Sequence, residues 1–177
     1  TVTTDGDFKI HTFTGDGDFI VTAAGLGTSE APSIIDYLVV AGGGSGGSNP
    51  GNASGGGGAG GFRESLASCS PTHTPSGHTA SPLKATTGIT VTAATFPISV
   101  GGGGALGPGP ATNASAGSNS VFSTITSAGG AGGGSGGQCG SSIPAGGSGG
   151  GGRANQNNAG SAGNTPPVSP AQGSAGG

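Results

Sequence analysis

The chain has no tryptophan and no methionine, and among its 177 residues only one tyrosine and six phenylalanines. With Leu, Ile and Val also scarce, a conventional core of large apolar side chains is too small for this length. Charge is equally thin, with four Lys and Arg against seven Asp and Glu and a net charge of −3. So few basic residues remove the electrostatic case for nucleic-acid binding, which needs Lys and Arg set against phosphate. No apolar run approaches the ~20 residues of a membrane-spanning helix, so no membrane insertion is expected. There is neither a signal-peptide pattern nor an initiating Met, and the chain reads as processed or as a portion of something longer.

The scarce charges are unevenly placed. Asp5, Asp7, Asp16, Asp18, Glu30 and Asp36 lie near the N-terminus, and no charged residue stands between Lys84 and Arg153. Cysteine is nearly absent too. Cys69 and Cys139 could form a disulfide joining two glycine-rich regions in an extracellular chain, or could be two small buried thiols, since sequence does not show distance.

What the chain has instead is glycine. It supplies 45 residues, several times the usual share of ~7%. The tracts lie at about 41–61, 101–109, 129–152 and 159–177. Residues 1–40 read as a β region. FKIHTF and FIVTA flank TGDGD, which predicts a hairpin with strands near 7–13 and 18–23 turning at Gly15–Gly17. IIDYLVV is apolar on both faces and predicts a further strand near 34–41. GITVTAATFPISV (88–100) and SVFSTITSA (120–128) are β-prone segments between tracts. No helical period occurs, and Gly and Pro are too frequent for a long helix.

Inside the tracts a period of three is visible, as in Ser45 and Ser48, Ala128 and Ala131, Ser135 and Gln138, and Ala145, Ser148 and Gly151. A polyproline-II-type helix has ~3 residues per turn. With glycine at most positions, such helices can pack closely and pair their backbone groups with one another, which satisfies the accounting that buried N–H and C=O groups require. The expected fold is therefore mainly β and irregular, with essentially no α-helix. An N-terminal hairpin and strands (1–40) lead into a bundle of polyglycine-II helices with interleaved short strands (41–177), one compact unit. Collagen is excluded because the G-X-Y register breaks and Pro is sparse in the tracts.

Several motifs carry residue types that could serve chemistry. VVAGGGSGG contains G-x-G-x-x-G (Gly42, Gly44, Gly47) after a strand, but Ser-Asn-Pro-Gly follows where a nucleotide site needs a helix, and no P-loop occurs. The two DGD triplets lack the other ligands of a calcium loop and read as turns. Cys69, His73 and His78 are metal ligands by type, but they sit in a Ser/Thr/Pro loop without a fourth ligand. No nucleophile–base set stands out. No cofactor, metal or enzymatic activity is expected.

HTFTGDGDFIVT, DYLVVAGGGSGG, GGGGAGGFRES, FPISVGGGG, SNSVFSTITSAGGAGGGSGG and GNTPPVSPAQGSAGG occur in that order. Together they resemble the glycine-rich domain of bacteriophage tail-fibre and tail-tip adhesins of marine and cyanophage type. The segment CSPTHTPSGHTASPLKATTG is longer than the family's usual link. The resemblance implies a structural virion protein in which stacked polyglycine helices carry loops to a host-surface receptor. It implies a tail location, with other tail proteins or copies of itself as partners in a trimer or helical assembly. A host glycan or outer-membrane protein would be the receptor. The alternative is the subunit of a self-assembling extracellular bacterial filament. Packed glycine offers no side chains for recognition, so contacts are expected in the 62–87 segment and in the tract-to-tract loops near 48–54, 107–119 and 153–158. Phe62, Arg63, His73, His78, Lys84 and Arg153 are the side chains best able to anchor them.

Overall fold

The structure is a computed structural model that describes residues 1–6, 8–25, 33–48, 53–65, 84–107, 114–135, 143–153 and 159–177. Among these residues there is no helix. The strands are β1 (Val2–Asp5), β2 (Phe8–His11), β3 (Gly17–Val21), β4 (Ile34–Ile35), β5 (Leu38–Val40), β6 (Phe62–Glu64), β7 (Ile89–Thr90), β8 (Ala94–Ser99), β9 (Ser120–Phe122) and β10 (Ile125–Ser127). They form antiparallel sheets: β1-β2, the four-stranded β10-β9-β8-β3, β4-β7 and β5-β6.

The N-terminal hairpin exists, one turn earlier than the sequence suggests. β1 pairs β2, with Asp5 opposite Phe8, and the chain reverses at Gly6, whose φ is +56°. The expected turn at Gly15–Gly17 does not join two paired strands, because β3 pairs with β8 instead. The physical reason is burial. The β1–β2 ribbon is exposed along both strands, whereas β3 places Phe19 against Phe96 and Phe122. Tyr37, Val39 and Phe122 form the buried centre of this small core, with Ile35, Ile89, Ile98 and Ile125 packed on it. The Phe19 and Phe122 rings meet edge to face at 5.9 Å, the geometry that aromatic quadrupoles favour.

The segment 34–41 divides into β4 and β5 because the two halves take different partners, β7 and β6. At the division Ser65 ties down Tyr37. Ser65 N–H donates to Tyr37 O, and Ser65 Oγ accepts from Tyr37 N–H at 3.1 Å while donating to Asp36 Oδ1 at 2.9 Å.

Five strands adjoin glycine-rich segments directly. β5 leads into 41–47 and 55–61 leads into β6; β8 leads into 101–105, 114–119 leads into β9, and β10 leads into 128–135. The hydrogen bonds of these tracts recur every three residues. Ala41, Gly44 and Gly47 donate to Gly61, Gly58 and Gly55. Gly55, Gly58 and Gly61 donate in turn to Gly134, Ala131 and Ala128. Gly42 and Ser45 donate to Ser118 and Ser115 and accept from Gly130 and Gly133. Ala131 and Gly134 donate to Ser148 and Gly151, and Gly149 and Gly152 to Ser174 and Gly177. This repeat equals the turn of the polyproline-II-type helix, ~3 residues. Tract 128–134 is bonded to four others, and every residue from 127 to 135 is buried.

Glycine is required here for space. Among the described glycines only Gly6 has a left-handed φ. A Cβ at Gly44 or Gly130 would instead meet a facing carbonyl oxygen, that of Ala131 or Gly58, closer than any real Cβ approaches. The tracts thus form a core of main chain, in which the buried groups of tract 128–134 are bonded to neighbouring tracts.

Candidate recognition surface

The hydrogen-bond register gives the bundle two ends. At one end lie the sheets. At the other, four connections leave and re-enter: Ser48 to Ala53, Gly107 to Ala114, Ser135 to Ile143, and Arg153 to Ala159. The third is placed by Ile143, whose Cδ1 would lie 3.0 Å from a Cβ on Gly134. The connection between Ser65 and Lys84 belongs to the opposite, sheet end. Its base is closed by Ala85 N–H donating to Glu64 O at 2.8 Å and by the parallel bridge between Ser65 and Ala85. The described roots of the tract-to-tract loops that the sequence nominates therefore share one end, and the roots of the 62–87 segment lie at the other.

Phe62 and Arg63 lie half-buried in β6, opposite Val40 and Val39, and Phe62 N–H donates to Gln172 O at 2.9 Å. Lys84 is half-buried at the closing base of the same segment. Arg153 differs from the exposed anchor that its residue type suggests. It is 5% exposed, and Nη1 donates to Ser135 O at 2.9 Å, at the roots of two far-end connections. A planar cation at the end of a tract finds carbonyls with no further tract residue to serve, which is why it turns inward. Ser135 Oγ likewise donates to Ser48 O at 2.9 Å. His73, His78, Cys69 and Cys139 lie outside the described residues, as do the tips of the far-end connections.

Side chains that the sequence did not single out fix the joint between sheets and tracts. Ser120 Oγ donates to Val40 O at 2.8 Å and accepts from Gly101 N–H at 2.9 Å. Ser127 Oγ donates to Val39 O at 2.8 Å. Gln172 Oε1 accepts from Ala128 N–H at 2.8 Å, and its Nε2 donates to Pro166 O at 2.9 Å. Asn119 Oδ1 accepts from Gly129 N–H at 2.9 Å. The one sequence signal for them is a small polar residue at the boundary between a β-prone run and a glycine run.

The glycines of the G-x-G-x-x-G match are committed elsewhere. Their amides donate to Ser118 O, Gly58 O and Gly55 O. In the second DGD triplet, Asp16 Oδ1 accepts from Val100 N–H at 2.8 Å. Among the described residues no cluster of His, Cys, Asp and Glu could hold a metal ion.

These features define a class: a glycine-rich domain whose interior, among the described residues, is largely backbone. The family model of the glycine-rich domain matches residues 20–177, and the chain belongs to that family. No curated protein and no solved structure matches it.

Proposed function

We propose that the chain is a structural subunit of a bacteriophage tail, a fibre or tip adhesin, that attaches the virion to a host-cell surface through connections carried on a glycine scaffold. The observation that supports this reading best is the gathering of four tract-to-tract connections at one end of the bundle, away from the sheets. A scaffold bonded from tract to tract holds the roots of those connections at fixed spacing. The connections themselves can then vary without disturbing the interior. The motifs quoted above, with their resemblance to tail adhesins, supply the biological setting.

The test uses labelled protein on a panel of intact marine bacteria and cyanobacteria. Saturable binding to a subset of strains is expected. Exchanging 108–113 and 154–158 for Gly-Ser links should lower it by at least tenfold. Exchanging 69–83 reports on the opposite end. Undiminished binding by folded variants carrying these exchanges together with exchanges of 49–52 and 136–142 would remove the reading. The filament reading has one observation in its favour, the exposed outer tract at Gly102 and Gly103, whose amides have no partner among the described residues. Open filaments of purified protein in electron micrographs would favour it over a closed or tail-borne assembly.

A further inference from the structure

A cleft of about 390 Å³ opens at the sheet end, between the 85–90 segment and the turn that joins β9 to β10. That volume lies within the range of small-molecule sites, ~300–1,000 Å³. Among the described residues no Asp, Glu, Lys, Arg or His lines it, so none of these offers an anion or a cation a counter-charge. Five hydroxyl-bearing residues line it instead, Tyr37, Thr87, Thr90, Ser123 and Thr124. Each can donate and accept. None of the five makes a side-chain hydrogen bond to another described residue. Tyr37 is the most informative of them. Its ring belongs to the buried core and the residue is only 9% exposed, yet it also lines the cleft.

Ser123 carries a second, independent observation. It stands in the turn between Phe122 and Ile125 with a φ of 52°. Left-handed backbone is the conformation that glycine adopts at least cost and that a side chain disfavours. In a chain with 45 glycines, this turn has a serine. No hydrogen bond to a described residue rewards the hydroxyl for that strain, and the residue lines the cleft. A positive φ at the first turn residue suits a two-residue hairpin, and a serine there adds a hydroxyl beside the cleft that a glycine would not.

The geometry points to a binding site for a neutral saccharide. A sugar presents hydroxyls that donate and accept, which the five protein hydroxyls match in kind. It also presents C–H faces, which Ile89 and Ile125 can cover on the cleft wall. The cleft is open rather than enclosed, so the end or edge of a longer glycan can enter it. This site lies at the opposite end from the four clustered connections, and it stands whether or not those connections attach to a host.

Saturation-transfer NMR on the purified chain tests it. The probes are glucose, galactose, mannose, N-acetylglucosamine and lactose, with glucuronic acid and N-acetylneuraminic acid as charged counterparts. At least one neutral sugar should receive saturation, and neither acid should do so comparably. Tyr37→Phe keeps the packed ring and Ser123→Gly relaxes the turn, so both variants should fold with an unchanged or higher Tm. Each should weaken binding by at least about fivefold, the scale of one lost hydrogen bond. A 154–158 exchange should leave binding unchanged. The proposal is overturned if no neutral sugar binds, if the acids bind equally well, or if both hydroxyl-removing variants bind like the parent chain.

Discussion

The carbonyl oxygen of Ala131 occupies the place that a Cβ on Gly44 would need. Ala131 itself is fully buried, and its carbonyl also accepts from Gly58 N–H at 2.7 Å. Separate stretches of main chain therefore meet at one oxygen, with no side chain between them. Cohesion of this kind depends on how closely backbones approach rather than on apolar area, and it sets the first expectation.

Gly44→Ala should lower stability by at least about 2 kcal/mol, because an added methyl must push two tracts apart. Gly56→Ala and Gly102→Ala are the controls. Nothing lies within 4 Å of a Cβ at either position, and neither φ is left-handed. They should be neutral or stabilising by ~0.4–1 kcal/mol, through the unfolded chain. Chemical denaturation of the three variants checks this, and equal effects at all three positions would sink the close-approach argument.

Amide hydrogen exchange should be slow at Gly130, Ala131, Gly133 and Gly134, which are buried and bonded to neighbouring tracts. It should be fast at Gly56, Gly102 and Gly103, which are exposed and whose amides have no partner among the described residues. NMR couplings across 128–135 and 148–152 should give φ and ψ near about (−75°, +145°). Dihedrals scattered away from that region would rule out polyglycine-II helices as the form of the tracts.

Ser120→Ala should cost about 1–3 kcal/mol. The buried hydroxyl bridges Val40 O and Gly101 N–H, so its removal orphans an amide donor where a strand becomes a tract. Gln172→Ala should cost more, since Gln172 is 2% exposed, its amide serves both Ala128 N–H and Pro166 O, and its truncation leaves a larger void than that of serine. Urea titrations would show the order, and a Gln172→Ala loss below that of Ser120→Ala would contradict it.

Asn164 combines a φ of 50° with side-chain bonds to Val168 N–H, Val168 O and Gln172 N–H, each 3.2 Å. Asn164→Gly keeps the backbone permissive and loses the bonds; Asn164→Ala loses both. Alanine should therefore be worse than glycine by roughly 1 kcal/mol, read as a difference in Tm. Equal Tm values would mean that the left-handed backbone contributes nothing.

The sequence by itself determined the materials of this protein. Its shortage of large apolar side chains and its wealth of glycine exclude helix bundles and ordinary cores. The spacing of Ala128 and Ala131 announces a repeat of three, and that same repeat governs the hydrogen bonds of the tracts. Strands fall close to where β-prone runs stand, because a local run of β-branched and aromatic residues needs no distant information.

Which strand meets which was decided only in three dimensions. β3 leaves its neighbour β2 for β8 because Phe19 reaches Phe96 and Phe122 there. Arg153, an exposed anchor by residue type, turns inward because the end of a tract offers it the carbonyl of Ser135. Glycine tracts are chemically alike, so sequence alone leaves their register open. The register depends on rare side chains such as Ser120, Ser127 and Gln172 finding particular backbone groups. Those meetings join residues far apart in the chain, and only the folded arrangement specifies them.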